Sequence, residues 1–232
     1  MGLLEDFEEE EVKEVEEEKK FEEEEEEERL GLHIECEQKN KSITTGSEAN
    51  FHVEIINDTG EDQNVEIAAH LIYSTDEDHR VLWNVRILGE KSFSGSSETF
   101  KKEIKIEDRN KEILPIKVEV PEGASYGEKL EVVIDATSKK DTLVSDSITL
   151  ITTARPTIIA VKTQIGQEKN VADYVAALSE STDIGVFSVL APKPLRGYIF
   201  MEVMGPQRLE DALSSMRKAK GLVKGETEFE EI

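Results

Sequence analysis

The residue types that most often carry out chemistry are sparse in this sequence and are not spaced for catalysis. Cys36 is the only cysteine, which excludes an intramolecular disulfide framework and any multi-cysteine zinc or iron–sulfur site. Phosphate-loop, nucleophile-elbow and zinc-protease motifs do not occur. We therefore expect no enzyme, no catalytic residue, no cofactor and no metal. Four histidines lack metal-ligand spacing, and we expect most of them at solvent-facing positions: His33, His52, His70 and His79.

The charge balance argues against several classes of partner. The 232 residues include 28 basic and 52 acidic side chains, a formal net charge of −24. This charge repels nucleic acid and anionic membrane from the chain as a whole. No apolar run approaches the roughly 20 residues that span a bilayer, and the acidic start does not fit a secretory signal. We expect a cytoplasmic protein with no membrane contact and no sequence-specific nucleic-acid binding.

More than half of the negative charge lies in residues 1–30. This segment holds seventeen acidic and four basic residues, a net charge of −13. Seven consecutive glutamates, residues 22–28, repel one another and bury no apolar surface. The composition predicts a disordered acidic tail, for which a solubilising role and a docking role for basic partners both stay open.

Apolar and polar residues alternate from Leu32 to about Ile151, a period typical of half-buried strands. The run around Phe51–Ile55 ends at turn residues 57–60, and a second run begins at Val65, so we expect a hairpin. Trp83 is expected in the core. The pattern predicts an antiparallel β-sandwich of immunoglobulin-like type. The other alternating runs are Val81–Leu88, Phe100–Ile106, Ile116–Val120, Leu130–Ile134 and Ser147–Ile151.

The pattern changes at Pro156, where β and helical periodicities begin to alternate. The β-α-β-β-α-β order predicts an α+β domain in which two helices cover one face of an antiparallel sheet. The first helix has its apolar stripe at Val171, Tyr174, Val175 and Leu178. The expected elements are Thr157–Thr163, a helix ending near Ser181, Val186–Leu190, Tyr198–Met204, the helix Leu209–Met216, and a short strand at Leu222–Val223 or Thr227–Phe229. The chain is thus predicted to be multidomain: an acidic disordered tail at 1–30, a β-sandwich at 31–155 and an α+β domain at 156–232.

Several sequence blocks in this last segment carry a family resemblance. They read IAVKT at 159–163, IGQEKNV at 165–171, LRGYIFME at 195–202, KGLV at 220–223 and EFEEI at 228–232. In order and spacing, these blocks resemble the amino-terminal (NGN) domain of the NusG family of transcription elongation factors, in its archaeal Spt5 version. The resemblance implies a non-enzymatic factor that rides on RNA polymerase.

The resemblance also implies where polymerase would bind. In the family, an apolar depression on this domain receives the tip of the polymerase clamp coiled coil, which keeps the clamp closed over the cleft and raises processivity. The matching positions are Ala160, Tyr198 and Phe200. Residues two apart on a strand face the same side, so the two aromatic residues are expected to form two walls beside the small Ala160. The alternative is that Tyr198 and Phe200 pack beneath a helix.

A second implied partner is the small zinc-bearing Spt4 protein, which extends the sheet of this domain at an edge strand. Glu202 matches the acid that faces Spt4. The strand from Ile199 through Met201 to Val203 contains no proline that would interrupt backbone pairing. The alternative for Glu202 is a solvated carboxylate at a strand end. Any zinc would belong to the partner.

Two departures from the family pattern leave alternatives open. Family members usually continue into a KOW barrel, so either this barrel is absent or the sequence is truncated at Ile232. The predicted sandwich is not part of the pattern, and its role does not follow from the resemblance. A rival hypothesis is an acidic, non-enzymatic interaction protein that binds basic partners through the sandwich and tail and dimerises through its last domain.

Overall fold

The computed structural model describes residues 31–76, 81–90, 92–95, 98–214 and 216–223. The predicted acidic tail at 1–30 and the alternative final strand Thr227–Phe229 lie outside these residues. The described strands are β1 Leu32–Cys36, β2 Asn40–Thr44, β3 Glu48–Asn57, β4 Gln63–Tyr73, β5 Asn84–Ile87, β6 Phe100–Ile106, β7 Asn110–Glu119, β8 Lys129–Ser138, β9 Ser145–Arg155, β10 Thr157–Thr163, β11 Val186–Leu190, β12 Tyr198–Val203 and β13 Ala219–Leu222. The described helices are α1 Glu168–Ser181 and α2 Pro206–Ser214.

Strands β1–β9 form two sheets, which we call the two-sheet unit. One sheet has the order β1-β3-β7-β5, and the other has the order β2-β9-β8-β4-β6. All pairs are antiparallel except β2 with β9, which is parallel. Alternate residues of both sheets are buried in one shared apolar core, which includes Phe51 and Trp83. The expected core position of Trp83 is confirmed, whereas the immunoglobulin-like type stays a prediction.

The predicted hairpin at residues 57–60 is wrong, because β3 and β4 belong to different sheets. Asn57 gives the physical reason. Its buried side-chain amide lies within hydrogen-bonding distance, 2.9–3.1 Å, of the main-chain oxygens of Glu61, Ile106 and Glu107. Glu107 lies in the connection from β6 to β7, which also passes from one sheet to the other. The turn residues therefore hold two crossovers together instead of closing a hairpin.

Strands β10–β13 and the two helices form what we call the carboxyl-terminal unit. Its antiparallel sheet has the order β11-β12-β10-β13. Both helices pack on one face of this sheet, so the predicted β-α-β-β-α-β arrangement is confirmed. In the expected stripe of α1, Val171 and Val175 are buried, whereas Tyr174 is exposed. The core consists of Ile159, Val161, Val171, Val175, Ile184, Ile199, Met201, Val203, Leu209 and Leu213.

The two units meet closely along the chain and in space. Only Pro156 separates β9 from β10. The side chain of Met204, which directly follows β12, packs into the core of the two-sheet unit. Neither described helix is long and apolar enough to cross a bilayer. The division of the chain at Pro156 into separate domains stays a prediction.

Candidate protein-binding face

The helix-free face of the carboxyl-terminal sheet carries the residues expected to bind polymerase. In β12, Ile199, Met201 and Val203 point into the helix-covered core. Successive side chains of a strand point to opposite faces, so Tyr198 and Phe200 point away from the helices. Ala160 of β10 is the cross-strand partner of Phe200. The structure thus brings these three residues together, and the alternative that the aromatic side chains pack beneath a helix is wrong.

The apolar surface extends beyond the three predicted residues. Phe200 and Ala160 are only 8% and 7% exposed, although neither belongs to the core of either unit. Leu190 of β11 is the cross-strand partner of Phe200 and is 48% exposed. On the other side, Val223 is 41% exposed, and its N–H donates to the main-chain oxygen of Ala160 at 2.8 Å. Leu190, Phe200, Ala160 and Val223 therefore form a continuous line across the sheet, which we call the apolar row.

Leu190 and Val223 were missed by the sequence analysis for different reasons. Leu190 could not be placed from strand alternation, because VFSVL does not alternate and the register of β11 shifts between Val186 and Ser188. Val223 could not be placed in this way, because its position beside Ala160 depends on the pairing of β13 with β10.

The turn before Tyr198 is held by a carboxylate. Glu168 Oε1 accepts a hydrogen bond from the main-chain N–H of Gly197 at 2.6 Å. Main-chain N–H donors from Glu168 itself, Gly166 and Gly197 lower the pKa of the Glu168 carboxyl from its usual value, and the charge of Arg196 lowers this pKa further. Gly197 has a φ of +85°, a left-handed conformation that favours glycine. Glu168 therefore fixes the start of β12 and with it the position of Tyr198.

The expected strand addition at Ile199–Val203 does not fit the structure, because β12 is an interior strand. It pairs with β10 on one side and with β11 on the other, so its main-chain donors and acceptors are already used. The side chains of Ile199, Met201 and Val203 are buried in the core and cannot reach a partner. Glu202 is half-buried and accepts a hydrogen bond from the Ser188 hydroxyl at 3.3 Å.

The outer strand β11 is an open edge of this sheet. Among the described residues it pairs only with β12, and its sequence, VFSVL, has no charged side chain. Edge strands of stable monomers are usually protected against pairing with other chains. Elsewhere in the described residues this protection exists: β6 carries three lysines along its edge, and the N–H of Ile34 in edge strand β1 donates to the Asp146 carboxylate at 2.7 Å. Unlike β1 and β6, β11 therefore offers an unprotected edge to which a partner strand can pair.

Metal binding has no support within the described ranges, where no group of three His, Cys, Asp or Glu side chains could hold an ion. His52 is exposed, and His33 and His70 are half-buried, whereas His79 lies outside the described residues.

The comparisons with known proteins agree with this geometry. Residues 157–232 match the family model described as the NGN section of Spt5, the early transcription elongation factor of RNA pol II. Transcription elongation factor Spt5 of Methanocaldococcus jannaschii is 37% identical over 75 residues, which are 32% of this chain and 51% of that protein. The Spt5 of Pyrococcus furiosus is 32% identical over 75 residues, which are 32% of this chain and 49% of that protein. The chain spans about half the length of the curated relatives that it matches.

Two solved structures resemble the same segment. The N-terminal NGN domain of NusG from Methanocaldococcus jannaschii is 37% identical and covers 32% of this chain and 94% of its own, with a TM-score of 0.31. A heterodimer complex containing Spt4, from Methanococcus jannaschii, is 37% identical and covers 33% of this chain and 90% of the matched chain, with a TM-score of 0.32. The match to the family model and the identity to the archaeal Spt5 proteins support the NGN fold for the carboxyl-terminal unit. Residues 157–232 are thus similar to the NGN section of Spt5, and we refer to the carboxyl-terminal unit as the NGN domain.

Proposed function

We propose that this chain is a non-enzymatic, cytoplasmic transcription elongation factor that docks on RNA polymerase through the apolar row and Tyr198. The tip of the polymerase clamp coiled coil would pack on this surface, and the bound factor would keep the clamp closed and raise processivity. The observation that carries this proposal is the position of Phe200 beside Ala160 on the helix-free face. The names of the Spt5 relatives support it.

The shape and chemistry of the surface suit a helical hairpin tip. Phe200 and the small Ala160 are mostly buried, while the half-buried Tyr198 and the exposed Leu190 and Val223 offer aromatic and apolar contact area of the kind found in protein interfaces. Lys162 is the cross-strand partner of Tyr198, and Glu202 lies at the other end of the same strand face. These charges border the apolar row with opposite signs, and a polar rim of this kind orients a partner and excludes water.

We also propose that an Spt4-type protein pairs with the open edge of β11. Pairing there uses free main-chain groups, and this mode of recognition needs no cavity. The solved heterodimer of Spt4 with an NGN relative supports this partner. Glu202 lies near the proposed interface, because its carboxylate accepts a hydrogen bond from Ser188 of β11. Ile199, Met201 and Val203 support the sheet from its core and do not contact the partner. Any zinc would be carried by the partner.

The two-sheet unit is proposed to be a separate immunoglobulin-like sandwich domain, which the acidic tail precedes. Its two sheets share one apolar core that could form without the helices. Polymerase binding distinguishes the elongation-factor hypothesis from the rival hypothesis, in which an acidic protein binds basic partners and self-associates.

The polymerase proposal can be tested with the full chain and purified archaeal RNA polymerase on a biosensor surface. The variant Tyr198→Ala plus Phe200→Ala should bind about 30-fold more weakly or worse, as expected for the loss of at least one aromatic anchor. Because Phe200 is buried, a second variant, Val223→Asp, places a charge on the exposed end of the apolar row and should weaken binding without opening the fold. Tyr174→Ala removes an exposed tyrosine from α1 and serves as the control.

Wild-type affinity in both Val223→Asp and the double variant, with unchanged circular dichroism, would contradict the proposal. Self-association of the wild-type chain without polymerase binding would favour the rival hypothesis.

A further inference from the structure

An aromatic pair lies where the two units meet, next to the open edge of β11. Tyr126 of the two-sheet unit and Phe187 of β11 have ring centroids 5.5 Å apart and an interplanar angle of 54°. Both side chains remain accessible, with exposures of 68% and 52%. Single exposed aromatic residues are common on protein surfaces. Two of them in contact across units, beside the open edge of β11, form a surface that favours burial by another chain.

The segment that carries Tyr126 is held firmly in the two-sheet unit. The carboxylate of Glu128, a buried residue, accepts hydrogen bonds from the Ser125 N–H at 2.9 Å, the Thr75 hydroxyl at 3.2 Å and the Trp83 indole N–H at 3.3 Å. The N–H of Gly127 donates to the main-chain oxygen of Ala154 at 3.0 Å. Tyr126 is therefore presented by a preorganised turn, which lowers the entropy cost of binding to it.

The preceding turn, which is closed by the hydrogen bond from the Ala124 N–H to the Pro121 oxygen, is joined to the carboxyl-terminal unit. The side-chain amide of Gln207 donates to the Glu122 carboxylate. On the other side, the pairing of β11 with β12 shifts register between Val186 and Ser188. A bulge of this kind redirects the side chain at the irregular position, here Phe187, which contacts Tyr126. Phe187 thus brings the edge strand β11 into contact with Tyr126 of the two-sheet unit.

We infer that the protein that adds a strand to β11 also packs on Tyr126, so that its binding site spans both units. This inference rests on the Spt4-type partner proposed above and adds the two-sheet unit to that interface. A small β-sheet protein fits this site, because its edge strand pairs with Ser188–Leu190 while an apolar side chain beside that strand covers the aromatic pair. A second copy of this chain fits less well, because each copy carries a net charge of −24 and the two would repel.

The inference can be tested by calorimetry with the full chain and Spt4 of Methanocaldococcus jannaschii as the probe. Tyr126→Ala should weaken binding about fivefold, which corresponds to a loss of about 1 kcal/mol of binding free energy. Phe187→Ala should weaken binding at least as much. Tyr174→Ala, on α1, is the matched control and should bind as the wild type does. Tyr126 is mostly exposed, so its removal leaves the core of the two-sheet unit intact.

The possible results separate this inference from the proposed partner itself. Wild-type affinity in Tyr126→Ala, together with weak binding of Phe187→Ala, would overturn the inference and leave the partner proposal intact. If the wild-type chain does not bind Spt4, both this inference and the proposal of an Spt4-type partner are overturned. The polymerase proposal is not affected, because its experiment does not use Spt4. A wild-type dimer that Tyr126→Ala dissociates would identify a second copy as the occupant and would also overturn the inference.

Discussion

The main-chain N–H of Gly205 donates a buried hydrogen bond to the Thr45 hydroxyl, 3.3 Å away, and this bond joins the NGN domain to the two-sheet unit. Immediately before Gly205, Met204 inserts its side chain into the core of the two-sheet unit. The two units therefore share packed apolar surface as well as a covalent connection. The free energy of unfolding of one unit should therefore depend on residues of the other unit.

Met204→Ala tests this coupling directly. Truncation of a buried methionine to alanine costs about 2–5 kcal/mol of the free energy of unfolding, through lost apolar contact and the cavity that remains. We expect hydrogen exchange, measured by mass spectrometry, to rise mainly in the strands of the two-sheet unit. Met201→Ala is the matched control, because Met201 lies three residues earlier but is buried in the core of the NGN domain. In Met201→Ala, hydrogen exchange should rise mainly in the NGN domain. Identical exchange patterns in the two variants would contradict the coupling between the two units.

Local strand structure could be predicted closely from the sequence, because alternation and apolar runs are properties of neighbouring residues. The runs Phe100–Ile106, Thr157–Thr163 and Val186–Leu190 coincide with β6, β10 and β11. The two-residue period of side chains along a strand likewise places Tyr198 and Phe200 on one face of β12.

Strand partners could not be predicted in the same way, because pairing is decided by contacts distant in sequence. In the sequence, Asn57 is typical of a hairpin turn. In the structure, its amide donates to the carbonyls of Ile106 and Glu107, which lie some fifty positions further along the chain. The edge position wrongly expected for β12 has the same origin. Nothing within Ile199–Val203 shows that β10 and β11 flank it on both sides.

Gly185→Ala should strongly destabilise the NGN domain. Gly185 has a φ of +69°, and a Cβ atom there would lie 2.4 Å from the main-chain oxygen of Met204. The left-handed conformation alone costs a non-glycine residue roughly 1–2 kcal/mol, and the clash must add to this cost. Gly166→Ala is the control, because Gly166 has a φ of +82° but a Cβ atom added there would meet no atom within 4 Å. Urea unfolding should show a clearly larger loss for Gly185→Ala, and equal losses would argue against the close contact with Met204.

Asn57→Asp should destabilise the two-sheet unit more than Asn57→Ala does. Alanine removes the amide donor and leaves buried carbonyls without it, at a cost of about 1–3 kcal/mol of the free energy of unfolding. Aspartate keeps the shape but places carboxylate oxygens against the carbonyl oxygens of Glu61, Ile106 and Glu107, where no proton is available at neutral pH. Thermal unfolding at pH 7 would measure the difference. A more stable aspartate variant would mean that the amide is not the group that holds the crossovers.

Glu168→Gln should make the NGN domain less stable at neutral pH and should reduce its sensitivity to acid. The main-chain donors around Glu168 lower the pKa of its carboxyl in the folded state below the usual 4.5. A lowered folded-state pKa means that the ionised group stabilises the fold at pH values above 4.5, and that this stabilisation is lost as the pH falls through the folded-state pKa. The stability difference between wild type and Glu168→Gln should therefore be largest near pH 7 and should shrink progressively below pH 4.5. Urea unfolding across this range measures it, with Glu180→Gln, an exposed position near the end of the same helix, as the control. A difference that stays constant from pH 7 to pH 3 would show that the charge of Glu168 does not hold the turn before Tyr198.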